Sequence, residues 1–326
     1  MARSDLLISL VKAGSQGNQP AFQRTLEAIV AEERSRQHHI VADRLEQFLA
    51  QAQLPRPAPA ADRLESSLCL ELVPQRLIVD LVLPPLVTSA SCELVEEQQR
   101  ADLLRSHAIE PRHRVLLIGA PGNGKTSLAE AIAGELALPL LVVRYDAVIG
   151  SYLGETASRL ARLFDYVRTL QCVLFFDEFD TLGKERGDTQ ETGEIKRVVS
   201  SLLLSIDALP SYVVVIAATN HPELLDRAVW RRFQLRLELP LPGPAERKAF
   251  IEKFESRSNL SIGFSTHVVR ERLAGMSYAE LEELCMDIRR RSILAGPDAD
   301  VKAITRSRLA HLPRVRKVTR APDLSR

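Results

Sequence analysis

Short apolar runs alternate with longer amphipathic stretches through the middle of this 326-residue chain. The runs "RVLLIG", "LPLLVVR", "CVLFFDE" and "YVVVIAATN" are almost continuously apolar, which is typical of strands covered by helices on both faces. A fifth run, "QLRLELPLP", ends among prolines. The stretches between the first four runs have helical periodicity. This alternation predicts an α/β fold with a doubly wound, mainly parallel sheet.

The flanking regions predict helices instead. Residues 1–53 carry three short amphipathic patterns, which favour a small all-helical N-terminal bundle, and "LPRPAPAADR" at 54–63 is typical of a stiff proline-rich linker. We expect the large α/β domain over residues 64–240, with a leading strand and helix. A helical subdomain and a basic C-terminal tail are expected over residues 241–326.

Composition narrows the function classes. Forty-three basic and 42 acidic residues give a net charge of +1, so the whole chain offers no strong electrostatic case for nucleic acid or an anionic membrane. The four cysteines show no C-x-x-C pair and no neighbouring histidine at ligand spacing, which argues against zinc and disulfides and predicts buried free thiols.

No apolar run is long enough to span a bilayer, and no signal peptide pattern opens the chain, so we expect a cytoplasmic protein without a membrane segment.

The stretch "GAPGNGKT" lies between an apolar run and a helical pattern, and it matches G-x-x-x-x-G-K-[ST]. Glycines let backbone N–H groups approach a phosphate chain without an intervening Cβ, while the lysine reaches the β and γ phosphates and the threonine hydroxyl binds Mg²⁺. A generic glycine turn is the alternative. The motif predicts a P-loop NTPase that binds ATP through Gly119, Ala120, Pro121, Gly122, Asn123, Gly124, Lys125, Thr126 and Ser127.

Two acids end the apolar run "VLFFDE". Asp177 is predicted to hold Mg²⁺ through a water molecule, together with Thr126. Glu178 is suited to deprotonate the attacking water, which would make the protein an ATP hydrolase rather than a nucleotide binder alone. The alternative is a solvated acidic pair that caps the loop.

Polar and basic residues near the fourth apolar run complete the candidate site. Asn220 ends that run, where an amide can hold the attacking water or the γ-phosphate, although asparagine also ends strands as a turn former. Arg231 and Arg232 follow in "AVWRRF" and are candidates to stabilise phosphate charge from a neighbouring subunit. A solvated helix face is the alternative for this pair.

Together GAPGNGKT, VLFFDE, AATN and LLDRAVWRRF, with "GSYLGE" between the first two, resemble the AAA+ family, and within it the AAA subgroup of protein-remodelling and protease-linked ATPases. The resemblance covers roughly residues 76–311. It implies that Gly119–Thr126 is Walker A, that Asp177 and Glu178 are Walker B, that Asn220 is sensor 1, and that Arg231 and Arg232 are arginine fingers acting in trans. Hexameric rings with nucleotide at the subunit interfaces are also implied.

Two further segments bear on this resemblance. Tyr152, Leu153 and Gly154 reproduce the aromatic, apolar and glycine order of a pore loop that grips polypeptide, whereas a tyrosine packed in a surface loop is the alternative. The helical-domain signature G-x-S-G-A-[DE] reads "GMSYAE", with Tyr278 where glycine is usual, and no arginine occupies a sensor 2 position.

We therefore expect a homo-hexameric ATPase that uses Mg²⁺ and ATP to unfold, thread or disassemble protein substrates. The chain has no H-E-x-x-H protease motif, so a separately encoded effector such as a protease is the expected partner. Two alternatives stay open. One is a nucleic-acid-handling ATPase, which only the basic tail "HLPRVRKVTR" supports, and the other is a nucleotide-gated scaffold that controls a partner through residues 1–53.

Overall fold

The computed structural model describes residues 68–148, 153–180, 192–296 and 299–311, with isolated positions at 25, 28–30 and 34. Only the backbone is described at 153–154 and 192–198. Apart from those isolated positions and His311, the predicted N-terminal bundle, the proline-rich linker, Tyr152 and the basic tail therefore lie outside the described residues. The chain divides into two compact units, Met1–Asp62 and Arg63–Arg326.

A six-stranded sheet forms the centre of the second unit. Its strands are β1 (Cys69–Leu72), β2 (Arg114–Ile118), β3 (Leu140–Val143), β4 (Cys172–Phe176), β5 (Val213–Thr219) and β6 (Leu235–Glu238), in the spatial order β1-β3-β4-β5-β2-β6. Strands β2 to β6 run parallel to one another, and among the described strands only β1 is antiparallel, in its pairing with β3. The predicted doubly wound, mainly parallel sheet is confirmed.

Helices connect and flank the strands of this sheet. Those of the α/β part are α1 (Pro85–Gln99), α2 (Ala101–Ser106), α3 (Lys125–Glu135), α4 (Tyr145–Val148), α5 (Leu153–Val167), α6 (Thr192–Asp207) and α7 (Arg227–Arg232). Short 3₁₀ turns occupy Ile78–Asp80 and Pro222–Leu224. The leading helix predicted before the main strands is α1, which begins at a proline because the first helical position needs no N–H donor.

Every residue of β4 and β5 is buried, although side chains along a strand point alternately to opposite faces. Leu174 and Phe176 pack in one apolar cluster with Phe164 of α5, whereas Val173 and Phe175 pack in a second cluster with Ile132 of α3. Burial on both faces explains why these runs are continuously apolar in the sequence.

The C-terminal part is helical, as predicted. It comprises α8 (Pro244–Ser258), a π-helical turn (Val268–Arg272), α9 (Tyr278–Ala295) and α10 (Val301–His311), and it encloses its own apolar cluster. Helix α9 begins with a capping box, in which the Ser277 hydroxyl accepts from the Glu280 N–H and the Glu280 carboxylate accepts from the Ser277 N–H. We call this part the helical subdomain.

The cysteine prediction is partly wrong. Cys69, Cys172 and Cys285 are buried free thiols, but Cys92 is exposed on α1 because it lies outside the buried stripe that Val87, Ser91, Leu94 and Val95 form. Among the described residues, none of the helices combines the length and the apolar character that crossing a bilayer requires.

Candidate functional site

The glycine-rich loop joins β2 to α3, at the carboxyl edge of the parallel strands. Gly122 and Gly124 have φ angles of +75° and +86°, in the left-handed region that favours glycine. Gly119 is needed for a different reason, since a Cβ there would lie 2.3 Å from the carbonyl oxygen of Leu239. The Asn123 side chain donates to that same carbonyl at 3.1 Å and so ties the loop to the segment after β6.

Lys125 begins α3, and its side chain reaches back over the loop. Its Nζ donates to the carbonyl oxygens of Gly119 at 2.7 Å and Ala120 at 3.0 Å, and to Oδ1 of Asn220 at 2.6 Å. Only 6% of the residue is exposed. Burial lowers the pKa of Lys125, and the charges of Asp177, Asp180 and Glu178 oppose that shift. A cation held in this way at a helix N-terminus is suited to receive phosphate oxygens.

The two Walker B acids lie immediately beyond β4. The Thr126 hydroxyl donates to Oδ2 of Asp177 at 3.1 Å, so the two oxygens predicted to bind Mg²⁺ are adjacent. The other Asp177 oxygen accepts from the backbone N–H of Glu178 at 2.9 Å. Glu178 has φ +46°, a strained conformation for a residue with a side chain, and its exposed side chain lines the adjoining cavity.

The loop, the acids and Asn220 line one cavity of about 350 Å³. The polar part of its lining is the glycine-rich loop with Asp177, Glu178 and Asn220. The rest of the lining combines Leu81, Val82 and Leu83 before α1 and Phe250 and Tyr278 of the helical subdomain with four charged residues, Arg76, Asp80, Arg257 and Glu282. A cavity that offers both a glycine-rich loop and apolar side chains suits a nucleoside polyphosphate.

The helical subdomain contacts the loop directly. The backbone N–H of Ala279 donates to the carbonyl of Gly122 at 3.0 Å, and a Cβ on Gly122 would lie 2.9 Å from that of Ala279. In a second contact, Nζ of Lys253 on α8 donates to the carbonyls of Val79 at 2.5 Å and Leu81 at 2.8 Å. The two contacts hold the helical subdomain against Gly122 and Leu81, which both line the cavity.

Sequence and structure comparisons identify the family. The model described as "ATPase family associated with various cellular activities (AAA)" matches residues 115–241. The protein named "Uncharacterized AAA family ATPase y4kL" from Sinorhizobium fredii is 37% identical over 299 residues, which cover 87% of this chain and 88% of that protein. The chain belongs to the AAA ATPase family. As an AAA ATPase it binds nucleotide and hydrolyses ATP.

Other relatives of this AAA ATPase match a smaller share. A putative 26S proteasome regulatory subunit homolog from Methanothermobacter marburgensis is 37% identical over 176 residues, covering 53% of this chain and 47% of that protein. The crystal structure of the FIGL-1 AAA domain superposes with a TM-score of 0.60 at 25% identity, over 78% of this chain and 90% of the other. The α/β P-loop fold is shared with that domain.

The two candidate arginine fingers of the AAA ATPase differ in their surroundings. Arg232 ends α7, where its Nε bonds Oδ2 of Asp207 at 2.7 Å, and Asp207 also accepts from Arg114 at 2.6 Å. The Arg232 side chain is 26% exposed. Arg231 is exposed and forms no ion pair with any of the described residues. Arg231 could therefore act in another subunit without breaking an ion pair within its own chain, whereas Arg232 would first have to break its bond with Asp207.

The pore-loop prediction falls at the edge of the described residues. Tyr152 lies outside them, and Leu153 and Gly154 form the first turn of α5. Their predicted role stays a prediction.

Sequence reasoning missed Asp180. This carboxylate is 2% exposed, and its Oδ1 accepts from the hydroxyl of Thr219 at 2.9 Å and from the backbone N–H of Asn220 at 3.4 Å. It thereby joins the end of β4 to the end of β5. The signal was visible as the third acid of "DEFD", but only the parallel pairing of β4 and β5 shows what it contacts.

Tyr145 was also missed. In the parallel pairing of β3 and β4, Val142 lies opposite Phe175. Tyr145 follows Val142 by three residues, and Glu178 follows Phe175 by the same number. The Tyr145 hydroxyl is buried and has no hydrogen-bond partner among the described residues. Burial raises the pKa of Tyr145 above its usual range, and the charges of Asp177, Asp180 and Glu178 add to the shift. A neutral hydroxyl thus lies near the acids, and its sequence context, "VVRYDAV", carries no motif.

Proposed function

We propose that this AAA ATPase assembles into a homo-hexameric ring that binds ATP and Mg²⁺ between subunits and uses ATP turnover to unfold, thread or disassemble proteins. One observation carries the proposal: Lys125, the two Walker B acids and Asn220 share a single cavity that the helical subdomain partly covers. Such a site can convert a change in the nucleotide into a movement of the subdomain, because residues of both parts line the cavity in which the nucleotide would bind.

The roles of the residues follow from their positions. Lys125 exchanges its carbonyl acceptors for phosphate oxygens, which releases Asn220 to hold the attacking water. Glu178 takes a proton from that water, and Asp180 holds the backbone of Asn220 in register. Thr126 and Asp177 would hold Mg²⁺, whose fit is supported by their two adjacent oxygens, and Mg²⁺ would neutralise charge on the transferred phosphoryl group.

The remodelling part of the proposal is supported by relatives. One relative bears the name of a proteasome regulatory subunit homolog, which fits a chain that delivers protein to a separate protease. The exposed Arg231 fits a ring in which each site is completed by the neighbouring subunit. We place the protein in the cytoplasm, without a membrane partner.

The test of the proposal is a Tyr152→Ala variant. An aromatic side chain grips extended polypeptide through its contact area, so its removal should abolish unfolding of a fluorescent protein that carries an unstructured tail. Basal phosphate release should stay within about twofold, because Tyr152 is not predicted to touch nucleotide. Tyr152→Phe is the matched control and should unfold the same substrate.

Three outcomes would contradict the proposal. A parallel loss of ATPase activity and unfolding would show that Tyr152 acts at the nucleotide site. Unchanged unfolding would exclude a gripping role. A wild-type protein that remains monomeric with saturating Mg²⁺ and a slowly hydrolysed ATP analogue, judged by light scattering, would exclude the ring.

A further inference from the structure

One lysine joins the helical subdomain to the segment before α1. Nζ of Lys253 on α8 donates to the carbonyl oxygens of Val79 at 2.5 Å and Leu81 at 2.8 Å. Lys253 is partly buried, and among the described residues it forms no ion pair with an acid. The two carbonyls lie 174 and 172 residues away along the chain, so the contact exists only when the helical subdomain is docked on the α/β part.

The two carbonyls belong to a part of the chain that is anchored to the α/β core. They lie within and just after the 3₁₀ turn Ile78–Asp80. Ile78 is buried in the same apolar cluster as Ile132 of α3, and its N–H donates to the Glu135 carboxylate at 3.1 Å. Carbonyls at the end of a helical turn carry partial negative charge, which makes them suitable acceptors for a lysine.

Lys253 also lies on the face of α8 that borders the cavity. Phe250, three residues earlier, and Arg257, four residues later, both line the cavity, and residues at these spacings share one face of a helix. The segment that Lys253 bonds lines the cavity too, through Asp80 and Leu81. Lys253 itself is not a lining residue, so its bonds join two groups of lining residues without reaching into the cavity.

We propose that Lys253 is a positioning residue for the ATPase reaction, which holds α8 against residues 79–81 and thereby slows the departure of bound nucleotide. It acts through the lining residues on both sides of its bonds. When the two bonds break, water replaces the carbonyls and Lys253 as partners, so the wall can open at moderate cost. Opening of such a wall sets the rate of product release in many enzymes.

The proposal rests on the nucleotide site, but it requires neither a ring nor a protein substrate. The test measures the dissociation rate of a ribose-labelled fluorescent ADP by stopped flow, with an excess of unlabelled ADP to prevent rebinding. Only nucleotide release is read. A protein that failed to form a ring or to unfold substrates would therefore still give the rates expected below.

We expect Lys253→Met to accelerate ADP dissociation by about tenfold, the order of effect for losing a hydrogen bond to a charged donor. Methionine keeps most of the apolar stem, so a role in packing alone would leave the rate unchanged. Lys253→Arg keeps the charge and several donors and should stay within about threefold of the wild-type rate. Lys248→Met is the matched control, because Lys248 is an exposed lysine of the same helix, pairs with Glu252 at 3.6 Å and does not line the cavity.

Three results would overturn the proposal. A folded Lys253→Met variant that releases ADP within about twofold of the wild-type rate would show that the bonds do not control release. Equal acceleration by Lys248→Met would assign the effect to the net charge of α8. Acceleration by Lys253→Arg as large as that by Lys253→Met would show that the shape of the side chain matters, and not its bonds. If Lys253→Met does not fold, Lys253→Gln replaces it, with the same expected acceleration and the same contrary result.

Discussion

At the scale of single residues, the site contains groups whose burial or backbone conformation lowers the stability of the folded protein. Lys125 is buried with its charge, Glu178 has a left-handed backbone, and the Tyr145 hydroxyl lacks a hydrogen-bond partner among the described residues. Each feature costs on the order of 1–3 kcal/mol. Such costs persist only where surrounding contacts fix them, and here they are concentrated around the proposed phosphate site.

Glu178→Gln tests the proposed base. The amide keeps the size of the side chain but cannot accept the proton of water, so phosphate release should fall by about 10²- to 10⁴-fold. The Kd of ATP should change by less than about threefold, since Lys125 and the loop are intact. Malachite-green phosphate assays and equilibrium dialysis measure the two quantities, with Glu223→Gln as a control on an exposed acid outside the cavity. Turnover near the wild-type rate would disprove the role.

Thiol chemistry provides a pH-dependent prediction. Burial raises the pKa of Cys172 and of Cys285 to about 12 and that of Cys69 to about 11, whereas Cys92 is exposed. Thiolate is the reactive form, and its fraction falls tenfold for each pH unit below the pKa. At pH 8, iodoacetamide should therefore modify the native protein once, at Cys92, as measured by intact mass and peptide mapping.

The control for the thiol experiment is the unfolded protein. In concentrated urea all four cysteines should react, because the burial that raises the three pKa values is lost. A Cys92→Ser variant that still gains an adduct in the native state would contradict the burial of the other thiols.

At the scale of elements, the junction between the phosphate loop and α9 is the contact most relevant to nucleotide-driven movement. Gly122 and Gly124 both have positive φ, but a Cβ on Gly122 would meet Ala279 at 2.9 Å, whereas a Cβ on Gly124 would meet nothing within 4 Å. The two glycines therefore form a matched pair for substitution. An alanine at Gly124 would strain the backbone only, whereas an alanine at Gly122 would strain the backbone and also press on the helical subdomain.

Gly122→Ala and Gly124→Ala should each cost about 1 kcal/mol in the free energy of unfolding through the left-handed backbone. Only Gly122→Ala should also displace α9, so it should lower the unfolding temperature further and reduce the stabilisation that ADP provides. Calorimetry with and without ADP measures both effects. If Gly124→Ala were the more damaging variant in both measurements, the contact with α9 would not be important for stability or binding.

At the scale of the whole molecule, a single chain supplies most of the proposed site but leaves Arg231 exposed on its surface. The internal bond between Arg232 and Asp207 indicates that the two arginines have different tasks. Arg232→Ala should lower the free energy of unfolding by up to about 1 kcal/mol, the usual size of an exposed ion pair, while Arg231→Ala should leave it unchanged.

For ATPase activity we expect the opposite order, with Arg231→Ala more damaging than Arg232→Ala. In a ring with sites shared between subunits, Arg231→Ala should lower phosphate release by about 10³-fold or more, with little effect on the Kd of ATP. Mixing Arg231→Ala subunits with Lys125→Ala subunits should restore part of the activity, because some interfaces then combine an intact loop with an intact arginine. No recovery in mixed rings confirmed by light scattering would place Arg231 in its own subunit's chemistry.

The sequence by itself determined the local parts of this protein. Continuous apolar runs identified the central strands of the parallel sheet because strands buried on both faces are made mostly of apolar residues. The loop "GAPGNGKT" identified the phosphate site because positive φ and a close backbone approach require glycine at fixed spacing. The acids after β4 were identified for a similar reason, as charged residues that directly follow a buried strand.

Only the tertiary structure decided which of these parts meet. The bond of Asp180 to β5, the burial of the Tyr145 hydroxyl beside the acids and the bond of Arg232 to Asp207 join residues that are distant along the chain. The antiparallel position of β1 and the exposure of Cys92 were likewise not visible. Periodicity reports the surroundings of one element, whereas strand order and helix docking depend on the free energy of packing the whole unit, which no local pattern encodes.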